Sequence, residues 1–234
     1  MDVETMHVGV KMELDKSSAL ELPAFEPEEI DFWLNNAIKK FVKTRYSGLN
    51  SKTQSFEETQ KRIDDLRTLV YPFSPNSLSS GSATYPNSYY AEFPMEGSGV
   101  GNEDYWFTIQ EECEITIGDD SGNRVGITEC TTDEYRQQID DPYSEHILHY
   151  NTAKPLRLTR YNGVFLVSDG AYSVTDYFLM YLKKPDEVVY STGADCDLPE
   201  HTHDEIVRMA ASMMLENIEQ PRYKTHMNEV ATME

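Results

Sequence analysis

The sequence predicts an α+β protein in which helices from the N- and C-terminal parts form a bundle and an antiparallel β unit is inserted between them. Three observations predict this class. Apolar residues recur at helical spacing within residues 1–70 and again after 200, whereas between them they alternate at the period of strands. Charge changes with the period. Glu26 to Val70 holds eight basic and eight acidic residues, but Glu92 to Glu145 holds fifteen acidic residues against Arg124 and Arg136. Between these blocks, Tyr71 to Ala91 has no charged residue and is rich in Ser, Pro and Tyr. The expected organisation is therefore 1–70 for the N-terminal helices and 71–104 for a neutral linker. Residues 105–190 would form the β unit, and 191–234 the C-terminal helix and tail that complete the bundle.

Val3, Met6, His7, Val10 and Leu14 share one helix face, so a first helix is expected within 3–18, weakened at Gly9 by about 1 kcal/mol relative to Ala. The clearest helix follows, from Pro27 to Ser47. Ile30, Trp33, Leu34, Ala37, Ile38, Phe41, Val42 and Tyr46 make its apolar stripe. Pro27 suits the first turn, Glu28, Glu29 and Asp31 suit the positive end of the dipole, and Lys39, Lys40, Lys43 and Arg45 suit the negative end. Trp33 and Phe41 would each contribute about 2–3 kcal/mol if fully buried, so this stripe requires cover. Ser55 and Glu58 form a capping-box pattern that starts a helix over Phe56 to Val70. The two helices read as an antiparallel pair.

Alternation marks strands at Tyr105–Ile117 and Arg124–Cys130, joined through Gly118 to Gly122, and at Leu156–Arg160, Val164–Ser168 and Ser173–Leu182. Asn162-Gly163 and Asp169-Gly170 are the turn signals between the last three. Thr131 and Glu134 suggest a capped helix over Asp133–Ile139, and Thr202 and Glu205 a capped helix with Ile206, Met209, Ala210, Met213, Met214, Asn217 and Ile218 on its buried face, stopped at Pro221.

With 234 residues and 39% hydrophobic content the chain can bury a sizeable core in one large or two small domains. No apolar run approaches a membrane span, and Asp2, Glu4, Lys11, Glu13, Asp15 and Lys16 interrupt any signal-like stretch, so a soluble, cytoplasmically made protein is expected. The formal net charge of −21 argues against a nucleic-acid backbone as a tightly bound partner. Cys113, Cys130 and Cys196 are odd in number and match no metal spacing.

Groups that could carry chemistry have simpler readings. His201, His203, Asp204 and Glu205 suggest a metal cluster, but the capping box and first-turn charge account for them. The pairs Glu111-Glu112, Asp119-Asp120 and Asp140-Asp141 read as solvated acidic surface, and Gly97 to Gly101 lacks the strand and helix of a phosphate cradle. His7 has no second ligand at i+4, and Met209, Met213 and Met214 read as core or interface. No nucleophile motif is present, so no catalytic residue, cofactor or metal is expected and the protein is not expected to be an enzyme. Fifteen tyrosines and the aromatic helices favour a large protein contact surface.

The segments Glu28–Asn35, Phe41–Tyr46, Gln60–Arg67, Tyr181–Pro185 and Leu198–Val207 resemble the neck ring proteins of tailed bacteriophages, the head-to-tail connectors or portal adaptors, most closely those of the crAss-like group. The resemblance implies a virion structural protein, made in the bacterial host cytoplasm and placed in the neck or tail. It would assemble with itself into a ring of about twelve copies, touch the portal protein and the next ring or tail protein, and surround genomic DNA that only passes through. Trp33, Phe41 and Tyr46 are the expected subunit interface. Glu111, Glu112 and Glu114 are the expected channel-facing acidic residues, where like charge would keep the duplex from sticking during ejection. Arg222, Tyr223 and Lys224 are the expected portal contact. The alternatives are a tail or fibre-side structural binding protein and, further off, a metal-assisted hydrolase using His201, His203 and acidic residues.

Overall fold

The computed structural model of the chain describes residues 1–15, 25–47, 59–73, 78–81, 84–94, 105–160 and 162–217. These divide between two compact units, one spanning Val70–Lys184 and one drawn from the chain on either side of it.

In the outer unit, α1 (Val3–Asp15) and α2 (Pro27–Tyr46) follow the expected stripes closely. Val3, Met6, Val10 and Leu14 of α1 are buried, as are Ile30, Leu34, Ala37, Ile38, Phe41 and Val42 of α2. Glu29 reaches back to the Glu26 amide at 3.0 Å, which satisfies one free donor at the start of α2. A shorter helix, α3 (Gln60–Leu66), passes into a 3₁₀ turn over Arg67–Leu69. It begins behind an N-cap at Thr59, later than expected, and the Ser55–Glu58 pattern lies outside the described residues.

The last helix, designated α5 (His203–Asn217), buries Ile206, Ala210, Met214 and Leu215, and both α1 and α2 lie against it. Gly9, which weakens α1 locally, has a purpose at that contact: a Cβ there would lie 3.1 Å from Val207 Cγ1, so glycine permits close approach of α5. Asn35 pins the chain before α5 to α2. Its amide donates to Val188 O at 2.9 Å and its carbonyl accepts from the Val188 amide at 2.8 Å.

The inner unit holds nine strands among the described residues: β1 (Val70–Phe73), β2 (Ser79–Ser80), β3 (Ser88–Glu92), β4 (Tyr105–Ile117), β5 (Asp120–Gly126), β6 (Thr128–Glu129), β7 (Leu156–Arg160), β8 (Gly163–Val167) and β9 (Ser173–Lys183). One sheet has the order β1-β9-β4-β5 and the other β2-β3-β8-β7-β6. Every pairing is antiparallel except β6 with β7. Cys113, Ile115, Val174, Tyr177, Leu179 and Tyr181 of the first sheet meet Ala91, Val164 and Leu166 of the second in a common core. The other face of the second sheet, with Leu156, Leu158 and Val167, is covered by Tyr85, Cys130 and the short helix α4 (Tyr135–Asp140). Strand β8 is buried on both faces, which explains why GVFLV is an unbroken apolar run.

The expected helical bundle with a small inserted β unit is corrected by this architecture. The described chain carries about as much strand as helix, in two stacked sheets. Part of the difference arises within 71–104, expected to be a linker, where most of β1 and all of β2 and β3 pair into the sheets. Those strands are short and rich in Tyr, Ser and Pro, so their period is faint. The third capping box is also absent. Thr202 Oγ1 donates to Pro199 O at 2.8 Å, and Glu205 instead faces Arg45.

Candidate functional site

The groups most suggestive of chemistry are occupied by contacts that hold the fold. His7 Nε2 lies 2.7 Å from Asp31 Oδ1, and its ring packs on Tyr190 with centroids 4.7 Å apart. His201 Nε2 is 2.9 Å from Asp65 Oδ1, whereas buried His203 uses Nε2 on Leu198 O at 2.9 Å. These two histidines therefore serve different neighbours. Among the described residues no three of His, Cys, Asp and Glu are grouped to hold a metal ion. The three cysteines are free. Burial pushes the Cys113 thiol up to about 12 and the Cys196 thiol to about 11, well above the range of a reactive thiolate. Met209 and Met214 are core residues of α5. Gly97 to Gly101 lies outside the described residues.

The three aromatic residues expected at a subunit interface divide. Phe41 is 1% exposed, with the Arg45 guanidinium 4.7 Å from its ring centre, so its ring is covered within the protomer. Trp33 and Tyr46 are half-buried. The exposed aromatic of this helix is Phe32, 59% exposed and packed edge-on to Trp33 at 5.3 Å.

The acidic set divides as well, because successive strand residues point to opposite faces. Glu111 faces inward, with its side chain 8% exposed. It pairs with Arg157 and accepts the Tyr177 hydroxyl at 2.5 Å. Burial, with the Glu111 charge beside it, pushes the Tyr177 phenol far up, so that hydroxyl remains a donor. Glu112 and Glu114 project from the other face of β4, in register with Phe178 and Asp176 of β9 and with Gly126 and Arg124 of β5. Gln110 Nε2 donates to Glu112 at 2.8 Å, and the Arg124 guanidinium lies 4.0 Å from the Phe178 ring centre. This outer face continues to the hairpin at Asp119 and Asp120, both exposed. Arg222, Tyr223 and Lys224 lie outside the described residues.

A second charged surface was not anticipated as a site. Asn36, Lys39, Lys40, Lys43, Thr44 and Ser47 line a shallow groove along α2, opposite its buried stripe. Lys39 Nζ is 3.1 Å from Glu187 Oε1. The spacing of these residues was visible in the sequence, but a cluster of lysines near a helix C-terminus was already accounted for by the dipole.

The described residues thus carry a lysine-lined groove on α2, an acidic outer face on β4 and a sheet edge at β5 with six of its seven residues exposed. The chain belongs to the phage tail ring protein 3/4 family, the ring proteins of crAss-like phages, whose model matches residues 1–225. It is accordingly a virion structural protein of the ring-forming kind, with itself and other virion components as partners. No curated protein matches the chain. None of the helices among the described residues is long and apolar enough to cross a membrane.

Proposed function

We propose that this chain is the repeating subunit of a closed ring, about twelve copies around, that joins the capsid portal to the tail and surrounds the channel through which DNA leaves. The family match over residues 1–225 carries this reading. The protein acts by assembly rather than catalysis, is synthesised in the host cytoplasm, and is incorporated into the virion neck. The chemistry of the outer face of β4 supports the channel assignment. Glu112, Glu114 and Asp176 project from one sheet face with Arg124 as its cation, so a duplex passing this face would meet repulsion and slide without binding. Arg222, Tyr223 and Lys224 remain the proposed portal contact, and Trp33 and Tyr46, at the margin of the buried stripe, the proposed aromatic part of a subunit interface.

The experiment is the native mass of the purified protein, alone and then with the portal protein of the same virus. A closed ring, or a monomer that closes into one on the portal, is the expected result. A protein that stays monomeric in both conditions, or forms only a trimer or hexamer, overturns the reading. In assembled particles, Glu112→Gln with Glu114→Gln should leave assembly intact and slow DNA ejection. Unchanged ejection kinetics would remove the channel assignment while leaving the ring.

A further inference from the structure

We infer that the copy-to-copy contact of the ring is ionic and head-to-tail: the lysine groove on α2 of one copy receives the acidic β4–β5 hairpin of the next. The inference rests on the ring reading and adds to it the two faces that meet. A cyclic ring without internal two-folds requires two different, mutually complementary patches on every subunit. Both patches are present, and their charges match.

The donor is the hairpin. Strand β5 pairs only with β4 among the described residues, leaving one row of backbone amides and carbonyls at the sheet edge. Six of its seven residues are exposed, and only Val125 is partly buried. Such a strand gains little from its own protomer, and natural sheets rarely leave an edge this open without cover. Asp119 and Asp120 stand at the turn, both exposed. Gly118 and Gly122, with φ of +60° and +90°, shape the tip.

The receiver is the groove on α2. Lys40 and Lys43 are three residues apart on one helix face, so their side chains emerge together. In a chain with a formal charge of −21, a lysine face this concentrated is complementary to the rest of the molecule's surface, and therefore to another copy. A duplex is the poorer occupant, since three lysines without an arginine must overcome the repulsion of the whole chain.

The test is a charge swap on the full chain. Lys40→Glu with Lys43→Glu makes a copy with two acidic patches, and Asp119→Lys with Asp120→Lys makes one with two basic patches. All four positions are exposed, so folding should be retained. Under conditions in which the wild type forms rings, each variant alone should lower the ring fraction at least about tenfold. An equimolar mixture should restore rings, because acidic hairpins then meet lysine grooves and basic hairpins meet glutamate grooves. The quadruple variant, with both patches inverted, should assemble alone. Rings from either double variant at the wild-type level overturn the inference, as does loss in both without restoration in the mixture. If wild-type protein binds duplex DNA and the Lys40/Lys43 variant does not, the groove belongs to DNA and the inference also fails. A wild type that never forms rings instead overturns the ring reading itself.

Discussion

Arg45 and Asp65 form an ion pair with both side chains 2% exposed, Nε to Oδ2 at 3.0 Å, tying α2 to α3. The same guanidinium reaches Glu205 of α5 at 2.5 Å, and the same carboxylate accepts from the more exposed His201, so residues from four separate stretches meet around one buried ion pair. Removing one partner leaves a desolvated charge behind. Asp65→Ala leaves Arg45 with Glu205 alone and should cost about 2–3 kcal/mol, whereas neutralising the whole cluster, Arg45→Met with Asp65→Leu and Glu205→Gln, should recover most of that loss. Urea unfolding of the two variants measures the difference. Equal losses would mean the pair is stabilised by something other than mutual neutralisation.

Glu111 and Glu112 are neighbours with opposite roles, and stability separates them. Glu111→Ala leaves Arg157 only the exposed Glu129 carboxylate as an ion-pair partner and removes the acceptor of the Tyr177 hydroxyl, so the inner unit should lose about 2–3 kcal/mol. Glu112→Gln changes an outer face and should stay within about 0.5 kcal/mol. Thermal unfolding followed by near-ultraviolet circular dichroism reads both. A costly Glu112→Gln would show that the outer face is structural in the monomer.

How much of this was legible depended on whether the deciding contact was local. The long stripe of α2 was plain, because a twenty-residue helix repeats its signal several times. Yet the sequence offers Arg45 only as a charge that suits the negative end of the α2 dipole, although it stands four residues after Phe41 on the buried stripe. What makes it core is Asp65, twenty residues on, and Glu205, far along the chain. Likewise, a period of two already forbids Glu111 and Glu112 from sharing a face, but which one turns inward is decided by Arg157 on β7. Strands β1 to β3 were missed for a different reason. Tyr71 to Ala91 supplies few apolar residues and no charges to alternate with, so their strand character comes from pairing with β8 and β9.

His146 should make the inner unit acid-sensitive. Burial holds its imidazole below the usual histidine value of 6.5, against the opposing pull of Asp169 and Asp141. The unfolded chain therefore binds the proton more readily than the folded one. Stability from this group is present above about pH 6.5 and is lost as pH falls below it towards the folded value. Its Nδ1 sits 2.9 Å from Ser144 Oγ, a contact that a glutamine can keep in part. The urea midpoint of wild type should fall between about pH 7 and pH 5 more steeply than that of His146→Gln. Parallel curves would assign the acid sensitivity to other groups.

Gly163 opens β8, in register with Glu92 of β3. A Cβ on Gly163 would lie 2.1 Å from Ala91 O, a backbone atom that cannot yield without breaking the ladder between the two strands. Gly126, at the end of β5, has no atom within 4 Å of the same position. Alanine at the two sites thus separates steric need from conformational freedom. Gly163→Ala should cost at least about 2 kcal/mol and loosen β3. Gly126→Ala should be neutral or stabilise by up to about 1 kcal/mol, because it restricts only the unfolded chain. Hydrogen exchange at the Tyr89 and Ala91 amides, which face β8, would place the damage: rapid exchange there in Gly163→Ala, with β4 and β9 still protected, is the expected pattern. Uniform loss of protection would instead mean that the two sheets unfold as one.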